Sequence, residues 1–341
     1  MAAASMVETA SAEVERFGRE LDALVKPGAA IGLAVSGGPD SLALLILAAA
    51  ARPLRVEAAT VDHALRPESR AEAETVAKIC EALGVPHTIL TATWKPKPES
   101  AIQERARIMR YRLLGKWAKE RGLAAILTGH HLDDQAETFL MRLARGAGVK
   151  GLAGMRRISR SPVGPIAVLR PLLGWRHAEL EAVCAASGIE PVNDPSNADE
   201  QFERVRVRRA LAESDWLDAA AIAQSAGHLA EADGALHWAT DVEWKRAVNE
   251  SGGQILYRPS DAPREIRRRI IRRSILKLAS EGGGVEPRGR ELDQILAALV
   301  AGKRATLRGV LCAGSGGLWR FTRAPARREA PQSAEMGAVE G

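Results

Sequence analysis

Residues 30–41, Ala-Ile-Gly-Leu-Ala-Val-Ser-Gly-Gly-Pro-Asp-Ser, constrain the fold more than any other stretch. They read as a buried strand (Ile31 to Val35), a glycine turn (Ser36 to Asp40) and an apolar helix (Ser41 to Ala51). Gly37 and Gly38 have no Cβ, so the chain can turn sharply and lie close to a ligand. The turn amides and the free N–H groups opening the helix would point one way and form an anion site, reinforced by the helix dipole. Pro39 suits the first turn of a helix, and Asp40 and Ser41 offer capping oxygens. The Gly-Lys-Ser/Thr ending of a Walker loop is absent, as are the spaced glycines of a dinucleotide site.

The same alternation continues downstream. An amphipathic helix at residues 8–25 leads into the first strand. A second strand, Arg55 to Val61, ends at Asp62-His63-Ala64-Leu65-Arg66, and helix Glu68 to Leu83 follows. A third strand (His87 to Leu90), a basic helix (Ile102 to Arg121), a fourth strand (Ala124 to Thr128) and helix Leu132 to Arg145 complete the pattern. Strands alternating with helices predict an α/β fold, a doubly wound parallel sheet. Ligands of such sheets bind beyond the carboxyl ends of the strands, where the Ser36 loop, the Asp62-His63 pair and the Gly129-His130 turn all lie. Residues 146–165 read as a mobile basic loop, Ile166 to Leu169 as a strand and Arg176 to Ser187 as a helix. Asn193 to Asn197 reads as a turn cluster and Arg204 to Ala212 as a helix.

From about residue 215 the pattern becomes that of a smaller, mostly helical C-terminal domain. Helices are expected at residues 217–248, 263–280 and 290–300, with Gly282 to Gly284 as a break and a hairpin at 305–323. The predicted organisation is a catalytic domain at 1–214, a second domain at 215–324 and a disordered tail at 325–341.

Three cysteines, Cys80, Cys184 and Cys312, lie far apart without a CxxC pair. That argues against a cysteine-built zinc or iron–sulfur site and against a disulfide framework, and it fits a cytoplasmic protein. No secretory pattern opens the chain, and the longest apolar run, Leu42 to Ala51, is too short to span a bilayer, so no membrane is expected. A net charge of +6, with arginines clustered, suggests a polyanionic partner.

The densest chemistry is in Thr128-Gly129-His130-His131-Leu132-Asp133-Asp134-Gln135-Ala136-Glu137-Thr138. On a helix starting near His131, Asp133 and Glu137 are four apart and Asp134 and Glu137 three apart, so they share a face. Leu132, Ala136, Phe139 and Leu143 would take the buried face. A charged first turn explains one or two acids at a helix start, but not three beside two histidines. In the basic helix, Arg107 and Arg110 are three apart and could grip a phosphate together, although such a pair is more often a solvated face.

Ser36 to Ser41 resembles the pyrophosphate loop of ATP enzymes that release pyrophosphate. The loop is joined by Val61-Asp62-His63-Ala64-Leu65-Arg66, Ala106-Arg107, Arg110-Tyr111 and the Thr128 to Thr138 segment. Arg145-Gly146, Gly148, Arg170-Pro171-Leu172-Leu173, Asp194-Pro195-Ser196-Asn197 and Arg204-Val205-Arg206 follow in order. Together they resemble the tRNA(Ile)-lysidine synthetases, over about residues 28–212.

The resemblance implies a PP-loop domain of the adenine nucleotide alpha hydrolase type. It implies ATP and Mg²⁺, an isoleucine tRNA with a CAU anticodon and free L-lysine as reactants, and a monomer or homodimer. Ser36, Gly37, Gly38, Pro39, Asp40, Ser41, Asp62, His63, Gly129 and His130 would bind the nucleotide, with Mg²⁺ on Asp40. Asp40, Asp133, Asp134, Glu137, Arg107 and Arg110 would carry the chemistry, and Arg145, Arg204, Arg206 and Arg209 would meet tRNA. The arginines from Arg264 to Arg273 and the cations of residues 142–160 would extend that footprint. The alternatives are a tRNA thiolase of the same superfamily, an NAD or GMP synthetase, and a non-catalytic tRNA-binding protein that keeps only the fold.

Overall fold

The computed structural model describes residues 11–65, 68–95, 100–192, 203–259, 261–279 and 286–325. The chain divides into two compact units between Glu231 and Ala232.

The first unit holds helix α1 (Ser11–Asp22), strand β1 (Ile31–Ala34), α2 (Pro39–Ala51), β2 (Val56–Asp62), α3 (Ser69–Ala82) and β3 (His87–Thr91). It continues through α4 (Ile102–Glu120), β4 (Ala125–Thr128), α5 (Leu132–Ala144), the short α6 (Val149–Leu152), β5 (Ile158–Arg160) and β6 (Ala167–Leu169). A 3₁₀ turn (Pro171–Gly174), α7 (His177–Ala186) and α8 (Glu203–Glu213) follow, and α9 (Ala219–Ala247) carries the chain across the boundary. The strands form one sheet in the order β3-β2-β1-β4-β6-β5, parallel except where β5 pairs antiparallel with β6. The expected doubly wound α/β unit is therefore present. Strand order reverses between β1 and β4, the switch point where such sheets open a crevice.

Apolar packing fixes this arrangement. Helix α2 is buried from Ser41 through Ala48, because it lies among the sheet, α1 and α7. A helix covered all round can be apolar all round, as its sequence is. Leu42, Leu44, Leu45 and Leu47 are each fully buried, and each contributes about 1.5–3 kcal/mol of transfer free energy. Leu114, Trp117 and Ala118 of α4 pack with Leu123 and Ile126 in a separate cluster.

Residues 146–165 are more ordered than the sequence reading expects, for they contain α6 and β5. Side chains from α5 pin them. Gln135 exchanges hydrogen bonds with the backbone of Met155 at 2.7 and 2.9 Å, and Arg142 Nη1 donates to the Gly151 carbonyl at 2.7 Å.

The second unit adds β7 (Val248–Ser251), β8 (Gln254–Tyr257), α10 (Arg264–Leu278), α11 (Gly289–Val300), β9 (Arg304–Leu307), β10 (Val310–Ser315) and β11 (Leu318–Arg323). Its strands form an antiparallel sheet in the order β7-β8-β11-β10-β9. Ile270, Ile271 and Ile275 of α10 and Leu292, Ile295 and Leu299 of α11 share its core with Tyr257 and Phe321. The helices are thus as expected, while the single hairpin becomes part of a five-stranded sheet. The expected turn at 193–197, the glycine break at 282–284 and the tail beyond Pro325 lie outside the described residues. Among the described residues no helix is long and apolar enough to cross a membrane.

Candidate active site

The loop between β1 and α2 sits against the carboxyl end of β4. A Cβ on Gly129 would lie 2.8 Å from the Asp40 carbonyl oxygen and 3.1 Å from the Ser41 nitrogen. Only glycine lets the two strand ends close on each other at the switch point. Within the loop, Gly37 takes φ +93°, a region that favours glycine. The Ser41 hydroxyl folds the turn on itself, accepting from the Ser36 and Gly37 amides at 3.1 Å and donating to the Gly38 carbonyl at 2.9 Å. Those two amides therefore face Ser41 here, whereas the sequence reading aims them at an anion. Gly38 is the N-cap of α2 and no side chain caps the helix. The expected capping by Asp40 and Ser41 is thus corrected, because both side chains have other partners.

Asp40 faces two imidazoles. His177 Nδ1 lies 2.7 Å from Asp40 Oδ1, and His131 Nε2 lies 3.6 Å from Oδ2. His131 is 2% exposed and is the N-cap of α5, so that helix opens at Leu132. Its backbone N–H donates to Asp134 Oδ2 at 3.2 Å, and the Asp134 amide approaches Nδ1 at 3.4 Å. Asp133 Oδ2 stands 3.5 Å from His131 Nδ1 and Asp134 Oδ2 3.6 Å from Nε2. Carboxylates therefore surround both ring nitrogens. Burial alone would lower the His131 pKa, but hydrogen bonds to Asp133 and Asp40 and the charges of Asp134 and Asp40 lift it to about 10. Burial would raise the Asp40 pKa, but hydrogen bonds to His131 and His177 and the charges of both rings hold it well below the usual carboxylate range. Asp133 falls to about 2: burial opposes this, while His131, the His177 amide and Arg176 favour the anion.

The three acids of α5 do not share one role. Asp133 turns toward α7, accepting from the His177 backbone N–H at 2.7 Å and pairing with Arg176 Nε at 3.0 Å. Glu137 is 1% exposed and is clamped by Arg204 Nε at 2.9 Å and Arg208 Nε at 2.6 Å. Arg204 also approaches Asp134 Oδ1 at 3.7 Å and donates to Thr138 Oγ1 at 3.1 Å. The buried stripe of α5 is Asp134, Gln135, Ala136 and Glu137. The expected stripe is corrected at Leu143, which is 51% exposed. Polar groups occupy the covered side because arginines from α8 and the 149–155 segment reach them there.

A cavity of about 230 Å³ opens beside the loop, lined by Ala34, Ser36, Thr60, His63, Ser69 and Arg110 among others. Of the expected site residues, Ser36, His63 and Arg110 line it. Asp62 does not: it is 5% exposed, and its Oδ1 accepts from the Ala64 amide and the Ser69 hydroxyl, both at 2.8 Å. Its carboxylate braces the cavity wall. Arg107 is exposed and lies over the Tyr111 ring at 5.1 Å, so the expected two-arginine grip reduces here to Arg110 at the cavity. His130 bonds Thr128 Oγ1 at 2.8 Å. Burial, with nearby Arg170, Arg110 and Arg107, outweighs the Asp134 charge and depresses its pKa to about 3.

The arginine clusters are largely matched by acids. Arg145 pairs with Glu203, Arg209 with Glu213 at 2.7 Å, and Arg204 with Glu137 of α5 at 2.9 Å. In α10, Arg264 and Arg268 share Asp293, Arg269 pairs with Asp233, Arg272 with Glu286 and Arg273 with Asp241. The expected basic face of α10 is corrected accordingly: most of its charge is balanced within its own unit.

His177 is the residue that sequence reasoning missed, since a lone histidine after Arg176 has no local signal. The cysteines are buried, and burial raises the Cys80 and Cys312 thiols to about 12 and helps raise that of Cys184 to about 11. Such thiols are poor nucleophiles and poor cluster ligands.

The family model for the PP-loop domain matches residues 8–214. A tRNA(Ile)-lysidine synthase of Novosphingobium aromaticivorans is 47% identical over 322 residues, covering 94% of this chain and 97% of the relative. One of Zymomonas mobilis is 41% identical, covering 88% and 90%. Among solved structures, the U34-tRNA thiolase NcsA of Methanococcus maripaludis with its [4Fe-4S] cluster is similar in fold. The TM-score is 0.55 at 18% identity, over 65% of this chain and 81% of that one.

Proposed function

Because the chain belongs to the tRNA(Ile)-lysidine synthase family, we propose that it ligates free L-lysine to C2 of the first anticodon cytidine of an isoleucine tRNA reading CAU. In this reading O2 of the base attacks the α-phosphorus of ATP and pyrophosphate leaves. The lysine ε-amine then attacks C2, the C–O bond to AMP breaks, and the amine proton passes to a carboxylate. The product pairs with A rather than G, so the tRNA changes from methionine to isoleucine identity.

One observation carries the proposal: the phosphate-type loop and the acidic start of α5 meet at Asp40, His131 and His177. The reaction needs an anion site and an ammonium site close together, since the α-phosphorus and C2 are both bonded to the same base oxygen. The loop and the cavity at His63 and Arg110 suit ATP. Asp133 and Asp134 suit the lysine ammonium, whereas Glu137 is sealed by two guanidiniums. Neutralising lysine at pH 7 costs about 4.6 kcal/mol from its reference pKa near 10.4, so a positioned carboxylate must take the proton. Arg110, facing the cavity, suits the charge on departing AMP.

Mg²⁺ fits the oxygen donors of Asp40 together with nucleotide phosphates; bound there, it would neutralise phosphate charge. Arg145, Arg206 and Arg209 of the first unit are proposed tRNA contacts, and residues 215–324 a docking region. A monomer or homodimer in the cytoplasm is the accompanying proposal. The thiolase reading is disfavoured by the buried, proton-retaining cysteines.

The test supplies ATP, Mg²⁺, labelled lysine and isoleucine tRNA with a CAU anticodon, beside methionine tRNA with the same anticodon. Acid-precipitable label on the isoleucine tRNA alone is expected. ATP converted to AMP without label would overturn lysine as the second substrate.

A further inference from the structure

Asp40, His131 and His177 each offer one ligand atom, and the three atoms lie within 4.8 Å of one another. Two of the separations are 2.7 Å (Asp40 Oδ1 to His177 Nδ1) and 3.6 Å (Asp40 Oδ2 to His131 Nε2). An ion held at about 2.1 Å from each ligand places tetrahedral donors about 3.4 Å apart, so shifts of about an ångström in these side chains would admit one.

The outer contacts match those of metal-bound histidines. A ligating imidazole usually donates its other ring N–H to a carboxylate. His177 turns Nδ1 to Asp40 and Nε2 to Glu181 Oε1 at 3.4 Å. His131 turns Nε2 to Asp40 and Nδ1 to Asp133 Oδ2 at 3.5 Å. Both rings thus point one nitrogen at the shared carboxylate; His177 braces the other on an acid, while His131 Nδ1 also meets the Asp134 amide at 3.4 Å, and an ion bound here replaces the protons held between these groups. The rings stack at 5.3 Å between centroids with 29° between planes, which keeps their inward nitrogens side by side.

We propose that Asp40, His131 and His177 form a binding site for one divalent transition-metal ion of the zinc, cobalt and manganese class. Two imidazoles and one carboxylate are a borderline donor set, which such ions prefer and Mg²⁺ does not. Three protein ligands leave a fourth position, open to water or to Asp134, whose Oδ2 is 3.6 Å from His131 Nε2. Ion binding at this site is measurable apart from the reaction proposed above, because it needs neither ATP nor tRNA. It shares Asp40 with the proposed Mg²⁺ position, so an ion seated there competes with Mg²⁺ for that carboxylate.

Co²⁺ is the probe. The full chain, stripped by chelator and free of nucleotide, is titrated with Co²⁺ while visible absorption is followed. One equivalent with an intense four- or five-coordinate spectrum, displaced by Zn²⁺, is expected. His177→Ala, at a half-exposed position, should lose that stoichiometric signal while still unfolding in one cooperative transition without metal. Glu181→Gln should weaken binding about 10-fold, as loss of an orienting carboxylate does. His237 and Asp241 form a surface pair at 3.8 Å that could hold an ion adventitiously; Co²⁺ binding unchanged in His177→Ala would assign it there and overturn the proposal. A weak octahedral spectrum in the wild type would overturn it as well. Loss of lysine transfer has no bearing on this outcome, so the two readings fail separately.

Discussion

His177 holds the two acids on either side of the crevice: its Nδ1 is 2.7 Å from Asp40 Oδ1, and its backbone N–H is 2.7 Å from Asp133 Oδ2. One residue at the start of α7 therefore fixes the distance between the loop carboxylate and the first acid of α5. In the proposed reaction those carboxylates serve the nucleotide and the amine, so their separation governs both steps.

Asp40→Asn and Asp133→Asn keep the size of each side chain but remove the charge. Lysine transfer should fall about 100-fold or more in each, as when a preorganised electrostatic group is lost. Both proteins should still fold, since neither position belongs to an apolar cluster. Labelled-lysine incorporation with a circular dichroism melt checks both. Near-wild-type transfer would remove that residue from the mechanism.

Glu137 should behave differently. Its side chain is 2% exposed and balances Arg204 and Arg208, which are 41% and 50% exposed. Glu137→Gln should cost about 1–3 kcal/mol of stability, the scale of unmatched buried polar groups. Adding Arg208→Gln should restore part of that loss. Denaturant unfolding of the single and double variants measures the coupling; strict additivity would mean the clamp contributes nothing.

Gly129→Ala places a methyl 2.8 Å from the Asp40 carbonyl oxygen. Backbone cannot yield there without moving the loop. ATP conversion to AMP should drop about 100-fold, the effect of an ångström of misplacement, and the melting temperature should fall with it, since overpacking costs about 1–3 kcal/mol. Unchanged turnover would show that the loop tolerates displacement.

Tyr257 in the second unit is fully buried, and its hydroxyl donates to Glu243 Oε1 at 2.9 Å. Burial, then the Glu243 hydrogen bond and charge, push the phenol above its ordinary range. The native pKa is raised, so this contribution to stability is complete below the unfolded value of about 10 and is lost as pH rises through the native one. Tyr257→Phe should show a shallower alkaline loss of stability than wild type. Parallel unfolding curves from pH 9 upward would refute the assignment.

Much of the second unit's sheet was legible and went unread. Gly252 and Gly253 sit between β7 and β8 with φ of +57° and +71°, the signature of a two-residue hairpin turn. The sequence reading carries the helix to Val248 and assigns no element to residues 249–262, because each strand is only four residues long. At residues 158–160 no comparable signal exists: β5 forms because β6 offers a partner, and its own burial pattern is mostly exposed.

The sequence by itself determined the strand–turn–helix order, the glycine loop, the position of α5 and its acids, and the uniformly apolar α2. Each is written within a few consecutive residues, where backbone sterics and periodicity act. Only the tertiary structure decided which charges meet. Asp40 and His177 are 137 positions apart, and Glu137 and Arg208 are 71 apart. Such pairs form because α2 packs on α7 and α5 packs on α8, which sets residues distant in sequence side by side. Packing thus turned an apparent row of three acids into one carboxylate on His177, one on His131 and one sealed by arginines.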